Sequence, residues 1–217
     1  MIPDLYGYIG AVFVAMIAVP QLLKTMTDRR ADGVSVSSWA MQGTGALTFL
    51  LYGCRIGSPP QIVGNILPAA GAAAIVILIL KTRRVMSAAK AVAATAALAT
   101  YLAILALALE PLVVGGVAVA MALICRWPQV MASLKSLRNH SASEVSKLTW
   151  AITILAMSFW MVYAVIAVDV PVILANIVGI SASAIVLVSE MLNDRRRADE
   201  ISTPATSVAA SAPAGRS

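Results

Sequence analysis

Charge is scarce in this 217-residue chain: 12% of its residues are charged and 60% are hydrophobic, whereas a soluble domain carries roughly 25% charge. Mean hydropathy is +0.87. A soluble domain is thereby excluded, because the apolar runs are too long for one. Histidine and cysteine are scarcer still, with one His140 and two cysteines, Cys54 and Cys125. No metal-ligand cluster and no pair of carboxylates for acid–base work can be assembled from such a set. His140 falls in a basic loop, where a solvated role is expected. The cysteines are expected near opposite faces, too far apart for a disulfide. Enzyme chemistry, a cofactor and a bound metal are therefore not expected. The middles of the apolar runs also lack Asp, Glu and Lys. Glu190 lies near the inner end of the last run, and Arg126 is close enough to the inner face to snorkel. The last run has no Lys, which excludes a retinal Schiff base there.

What remains is apolar sequence. Seven spans are predicted, at about 4–25, 37–55, 59–80, 87–109, 111–133, 147–168 and 170–192, each near the roughly 20 residues that cross a bilayer. Spans two and six have the weakest apolar character, with Gly43, Gly45 and flanking Ser and Thr. Span one lacks the basic start of a signal peptide and is read as a retained helix. The basic residues fall on one side: Lys24, Arg29 and Arg30; Lys81, Arg83, Arg84 and Lys90; Lys135, Arg138 and Lys147; Arg195, Arg196 and Arg197. The other side holds Asp4, Arg55, Glu110 and Asp169. The positive-inside rule then puts the N-terminus outside and the C-terminus in the cytoplasm. This asymmetry explains the net charge of +6. Nucleic-acid binding is not expected, since the basic residues are loop anchors without interleaved aromatics. The tail from 198 to 217, rich in Ala, Ser, Thr and Pro, is expected to be disordered.

The chain also contains itself twice. Pro20-Gln21 returns as Pro128-Gln129, offset by 108 residues; Trp39 returns as Trp150, Phe49 as Trp160, Tyr52 as Tyr163, Pro60 as Pro171 and Asn65 as Asn176, all offset by 111. Three extra residues between Gln129 and Trp150 account for the difference. The Ala-rich fourth span matches neither copy. Placed between two triplets, it returns the second to the orientation of the first, so the repeats are parallel and a pathway would lie between them. The expected fold is an all-α membrane protein of seven transmembrane helices, two three-helix bundles joined by a linker helix (3+1+3). Its expected parts are 1–84, a linker 85–110, 111–197 and the tail 198–217.

The repeated residues suggest a site. Asn65 and Asn176 each lie about 9 Å into an apolar helix from the outer face at about 1.5 Å per residue. Phe49 and Trp160 fall at similar depth. Two amides flanked by aromatic faces suit a neutral molecule with several hydroxyls; the plainer reading is a hydrogen bond from each Asn to a neighbouring helix. Pro20 and Pro128 should kink their helices, with Gln21 and Gln129 at hand for the freed carbonyls, which suggests paired hinges at an inner gate as against simple packing kinks. Arg55 and Asp169, beside Tyr52 and Tyr163, would either pair across an outer gate or stand as two solvated charges. Ala175, Gly179 and Ser183, and likewise Gly64, Pro68 and Ala72, make small-residue faces for close helix packing. With no mid-span carboxylate to serve ion coupling, passive movement of an uncharged solute is favoured.

With this set the chain resembles the PQ-loop superfamily and, within it, the SWEET and SemiSWEET sugar transporters. The resemblance rests on the two Pro-Gln pairs, on Phe49-Leu50-Leu51-Tyr52-Gly53 and Trp160-Met161-Val162-Tyr163-Ala164, and on Asn65 and Asn176, and it covers everything but the tail. It implies a facilitative sugar carrier working by alternating access in a cell membrane, the bacterial inner membrane. It also implies that Asn65, Asn176 and Trp160 hold the sugar, with Phe49 making the pocket less symmetric. The prolines that plant and animal members carry near the starts of the second and sixth helices are absent around Trp39 and Trp150. The chain looks like a fused version of the single-triplet bacterial form. Fusion removes the need for a homo-oligomer without forbidding one. A PQ-loop carrier of amino acids or another metabolite, and a non-transporting receptor of the same fold, remain as alternatives.

Overall fold

The computed structural model describes residues 2–28, 36–83, 87–139 and 147–202. Side chains are described for these except 2, 18–28, 82–83, 88 and 197–202. The loop residues Arg29, Arg30, Arg84 and His140, and the tail from 203 onward, lie outside the described residues, so the readings placed on them are not addressed by the structure.

Seven helices follow one another: α1 (Ile2–Asp28), α2 (Val36–Ile56), α3 (Pro59–Arg83), α4 (Ala88–Leu107), α5 (Pro111–Arg138), α6 (Lys147–Ala167) and α7 (Val170–Ser202). Among the described residues, α3 to α7 each contain a stretch long and apolar enough to cross a membrane. Helix α6 is one of them, although its sequence looked weak. Helix α2 is not, because Ser37, Ser38, Gln42, Thr44 and Thr48 dilute it. Its position compensates, since it packs against α3, α5 and α4. Thr44 and Thr48 donate back to the carbonyls of Ala40 (2.8 Å) and Thr44 (2.7 Å). In α1 the apolar stretch runs over Pro3–Ile17. Helix α7 continues to Ser202, which corrects the expectation that disorder begins at 198. Arg, Ala and Glu favour helix.

The packing order around the molecule is α1–α3–α2–α5–α7–α6, returning to α1. It is unchanged when α1, α2 and α3 are exchanged for α5, α6 and α7, so the contacts have two-fold character. Helix α4 stands outside the ring and leans on α2 through Thr48 Oγ1 and Tyr101 Oη, 2.9 Å apart. Leu5, Val12, Met16, Val63, Ile66, Ile77, Leu123, Ile124, Leu155, Val162, Leu174 and Ile185 are exposed, whereas Thr48, Gln61, Asn176 and Ser183 are buried. This inversion of the soluble pattern marks a lipid-facing exterior.

The α2–α3 and α6–α7 turns share one backbone. Ser58 N–H donates to Gly53 O at 2.9 Å and Asp169 N–H to Ala164 O at 2.8 Å, the six-to-one bond of a Schellman end. The preceding residue is left-handed in both, Gly57 at φ 67° and Val168 at φ 56°. Glycine accepts this conformation and a β-branched residue does not. Val168, 77% exposed, gains little packing in return. Val168→Gly is expected to stabilise the protein by up to about 1 kcal/mol, read as a higher thermal unfolding midpoint in detergent. A lower midpoint would mean that the valine is unstrained.

Candidate functional site

At the ends of α2 and α6 two tyrosines cross from one half to the other. Tyr52 Oη donates to Asp169 Oδ1 at 2.7 Å, and Tyr163 Oη lies 2.6 Å from Ser58 Oγ. Ser58 and Asp169 are equivalents in the repeat. Each also caps its helix, with Gln61 N–H donating to Ser58 Oγ (3.3 Å) and Val172 N–H to Asp169 Oδ1 (3.2 Å). Small residues on α1 and α5 let this seal close. A Cβ on Gly7 would lie 2.6 Å from Pro60 Cβ and 3.3 Å from Tyr163 Cδ2; one on Gly115 would lie 2.5 Å from Pro171 Cγ and 2.9 Å from Tyr52 Cε2. A hollow of about 370 Å³, bordered by Asp4, Ile56 and Val168, lies against the two tyrosines.

The structure therefore brings Tyr52, Tyr163 and Asp169 together and leaves Arg55 out. Arg55 donates to Leu105 O (3.4 Å) and Ala106 O, where a cation meets the carbonyl end of α4. Asp169, 7% exposed, is neither paired with Arg55 nor solvated, contrary to both sequence readings, because the turn folds it under Tyr52. Ser58 was missed: serine and aspartate differ, so a search for identical repeat residues passes over them.

Burial pushes the Asp169 carboxyl above the usual carboxylate range, while the bonds from Tyr52 and the Val172 N–H pull it back less strongly. Its buried Oδ2 has no partner among the described residues and is the atom that would take a proton. The sealed state thus binds a proton more tightly than a state with Asp169 in water. Sealing is expected to strengthen as pH falls through the raised value and to level off below about 3.9, the ordinary value. Asp169→Asn, which keeps an acceptor for Tyr52, should favour the seal at neutral pH and flatten that dependence. The check is the pH profile of thiol labelling at Val172→Cys, just beneath the seal, in a background without Cys54 and Cys125. These two cysteines are free thiols.

Below the seal lies a central cavity of about 390 Å³. It runs from Gln61 and Val172 toward Trp39 near the start of α2, and both halves contribute: Phe49, Asn65 and Pro68 from one, Met121, Arg126, Met157, Trp160, Ala175 and Asn176 from the other. The four residues expected to form a pocket thus line one space. Asn65 Nδ2 donates to Gln61 O and Asn176 Nδ2 to Val172 O, each at 2.8 Å. These bonds run within one helix, not to a neighbour as the packing reading had it. Asn65 Nδ2 also reaches Gln61 Oε1 at 3.5 Å, so Asn65 offers a ligand chiefly its oxygen, and Asn176 an oxygen and a second N–H.

Trp160, 8% exposed, is held between helices of the other half. A Cβ on Gly10 would lie 2.7 Å from its Cδ1, and one on Gly64 2.6 Å from its Cζ2. Tyr163 meets it edge-on at 5.5 Å between ring centres. The equivalent positions opposite are Ala118 and Ala175, matched with the smaller Phe49. Of the small-residue faces, Gly64 thus receives a ring, and Ala72 Cβ lies 3.0 Å from where a Cβ on Gly43 would be. Pro128 lies inside α5, which runs on to Arg138 without a break, and neither it nor Gln129 lines the cavity. Position 20 likewise lies inside α1; the side chains of Pro20 and Gln21 are outside those described.

Two cavity residues were misjudged from sequence. Gln61, 2% exposed, was overlooked. Arg126 does not snorkel to the inner face. Its Nη2 lies 3.9 Å from Met157 Sδ, and Met157 is the middle residue of the 21-residue α6. The expectation of an uncharged solute rested on the absence of a mid-span carboxylate; Arg126 places in the cavity a charge of the other sign, which that expectation did not include.

A membrane-embedded ring of six helices with internal two-fold character, closed around a central cavity, defines the class of the molecule. A family model described as PQ loop repeat matches residues 2–62. Over 80 residues the chain is 30% identical to a protein of Escherichia coli (strain UMEA 3162-1) described as sugar transporter SemiSWEET; the match covers 37% of this chain and 90% of that one. A 3.7 Å structure of a eukaryotic SWEET transporter shares the fold, with a TM-score of 0.73 at 14% identity, over 90% of this chain and 100% of that one. The chain belongs to the PQ-loop family of SWEET and SemiSWEET proteins.

Proposed function

We propose that the protein is a facilitative, uncoupled and bidirectional sugar carrier. In this reading parts 1–84 and 111–197 rock against each other about the central cavity, while 85–110 joins them in parallel. The observation that supports it most is the cavity itself: two repeat-equivalent asparagines and two repeat-equivalent aromatics face one space, closed at one end by a pair of crossed tyrosines. The amide oxygens and free N–H groups take sugar hydroxyls, and the Trp160 and Phe49 rings take the C–H faces. A volume of about 390 Å³, at the small end of the ~300–1,000 Å³ of ligand sites, fits a monosaccharide better than a disaccharide. Pro20-Gln21 and Pro128-Gln129 serve as hinges of the opposite gate. The loop charges orient the N-terminus outward and the C-terminus into the cytoplasm. The related SemiSWEET and SWEET proteins, described as transporters, support the same reading.

The test is uptake of labelled glucose into proteoliposomes, with and without an imposed proton or sodium gradient. Equal rates and no accumulation above the outside concentration are expected. Gradient-driven accumulation would contradict the uncoupled reading. Absence of flux for sugars and amino acids by folded protein would favour a receptor.

A further inference from the structure

At two of its departures from the two-fold pattern the cavity has a polar donor opposite an apolar residue. The repeat counterpart of Arg126 is Ala18, and that of Gln61 is Val172. Arg126 lines the cavity, and among the described residues its one hydrogen-bond partner is the Met157 thioether at 3.9 Å, a weak acceptor. Gly179 leaves room for Met157, since a Cβ there would lie 3.0 Å from Met157 Sδ and in ordinary contact, 3.5 Å, with Arg126 Nη2. Gly179 is one turn along α7 from Asn176, and Arg126 lines the same cavity as both asparagines. Buried Gln61 Nε2 has no hydrogen-bond partner among the described residues. Among the described residues, no Asp or Glu lines the cavity. A guanidinium held near the membrane midplane without a carboxylate is costly, and a buried donor without an acceptor adds to that cost.

We propose that the preferred substrate is a sugar acid, a hydroxylated ring carrying one carboxylate, with the carboxylate on Arg126 and the hydroxyls on Asn65 and Asn176. The proposal rests on the sugar-carrier reading and narrows it. A carboxylate takes two parallel N–H bonds from a guanidinium, and the ring oxygens answer the donors of Gln61 and the two amides. Met157, opposite Arg126, supplies a polarizable wall without competing as an anion.

The experiment is competition against labelled-glucose counterflow in proteoliposomes, with glucuronate and its neutral methyl ester as competitors, in sulfate and again in chloride. The acid is expected to compete at least tenfold better than the ester in wild type. In Arg126→Gln the acid-to-ester ratio should fall to within about threefold of one, with Arg126→Lys between the two. Each ratio is taken within one variant, so loss of active protein cancels. A wild-type ratio near one, or a ratio retained in Arg126→Gln, overturns the proposal. So does a preference that disappears in chloride, which would assign the site to an inorganic anion. If Arg126→Gln does not reconstitute, the wild-type ratio decides alone. Glucose movement with acid and ester equal would overturn the anion site and leave the carrier standing; no sugar movement at all would overturn both.

Discussion

Gly115→Ala is expected to hold the Tyr52–Asp169 face open and to reduce sugar counterflow at least tenfold. The new methyl would meet Pro171 Cγ at 2.5 Å, Pro171 Cβ at 2.7 Å and Tyr52 Cε2 at 2.9 Å. A proline ring fixed at a helix start cannot swing aside, and the tyrosine is tied to Asp169. Overpacking of this kind costs about 1–3 kcal/mol. The bond it opposes contributes about 0.5–1.5 kcal/mol, or up to about 3 with an ionised Asp169. A bias of 1–3 kcal/mol moves a two-state equilibrium roughly 5- to 150-fold. The methyl would act only where the halves close, so helix content and the unfolding midpoint should change little. Labelling of Val172→Cys by an impermeant thiol reagent should rise with the loss of flux. Unchanged labelling would show that the seal absorbs the methyl. Gly7→Ala should act in the same direction through Pro60 and Tyr163, more weakly because Tyr163 Cδ2 is 3.3 Å away.

Trp160→Phe is expected to lower stability by about 2–3 kcal/mol, toward the low end of large-to-small changes at a packed aromatic, and to reduce flux at least tenfold. The smaller ring leaves the slot between Gly10 and Gly64 unfilled. Gly64→Ala alone should be as harmful for the opposite reason, since its Cβ would fall 2.6 Å from Trp160 Cζ2. The double variant should recover much of both losses, because a Phe with an Ala opposite reproduces what Phe49 and Ala175 supply in the other half. Unfolding midpoints of the four proteins form the cycle. Additive losses would show that the ring and the glycine do not share the slot.

The offsets of 108 and 111 placed Phe49, Trp160, Asn65 and Asn176 at one depth, and the structure puts them around one cavity. Identical residues announce a repeat, so equivalent positions with different residues were passed over: Ser58 with Asp169, Gly57 with Val168, Gly10 with Ala118. Gly7 and Gly115 are identical but look like ordinary helix glycines until the proline of the third or seventh helix lies against them. Arg55 and Arg126 failed for another reason. Periodicity gives the depth of a residue along its helix but not the side on which a long cation ends. Arg55 turned to the carbonyls of α4, and Arg126 turned into the cavity rather than toward the lipid surface. The helix beyond 198 was hidden by composition, since a tail rich in Ala, Ser and Pro begins with a stretch that favours helix.

The central claim is that a sugar site lies between the two halves and needs the amides of both. Labelled-glucose counterflow in proteoliposomes without an ion gradient, wild type beside Asn176→Ala, tests it most directly. Asn176 is 3% exposed, with its Nδ2 tied to the Val172 carbonyl, so its truncation removes ligand contacts more than helix packing. Counterflow in wild type that falls at least tenfold in the variant, with unfolding midpoints within a few degrees, is the predicted result. Equal counterflow in the two proteins would contradict the account and place the sugar elsewhere.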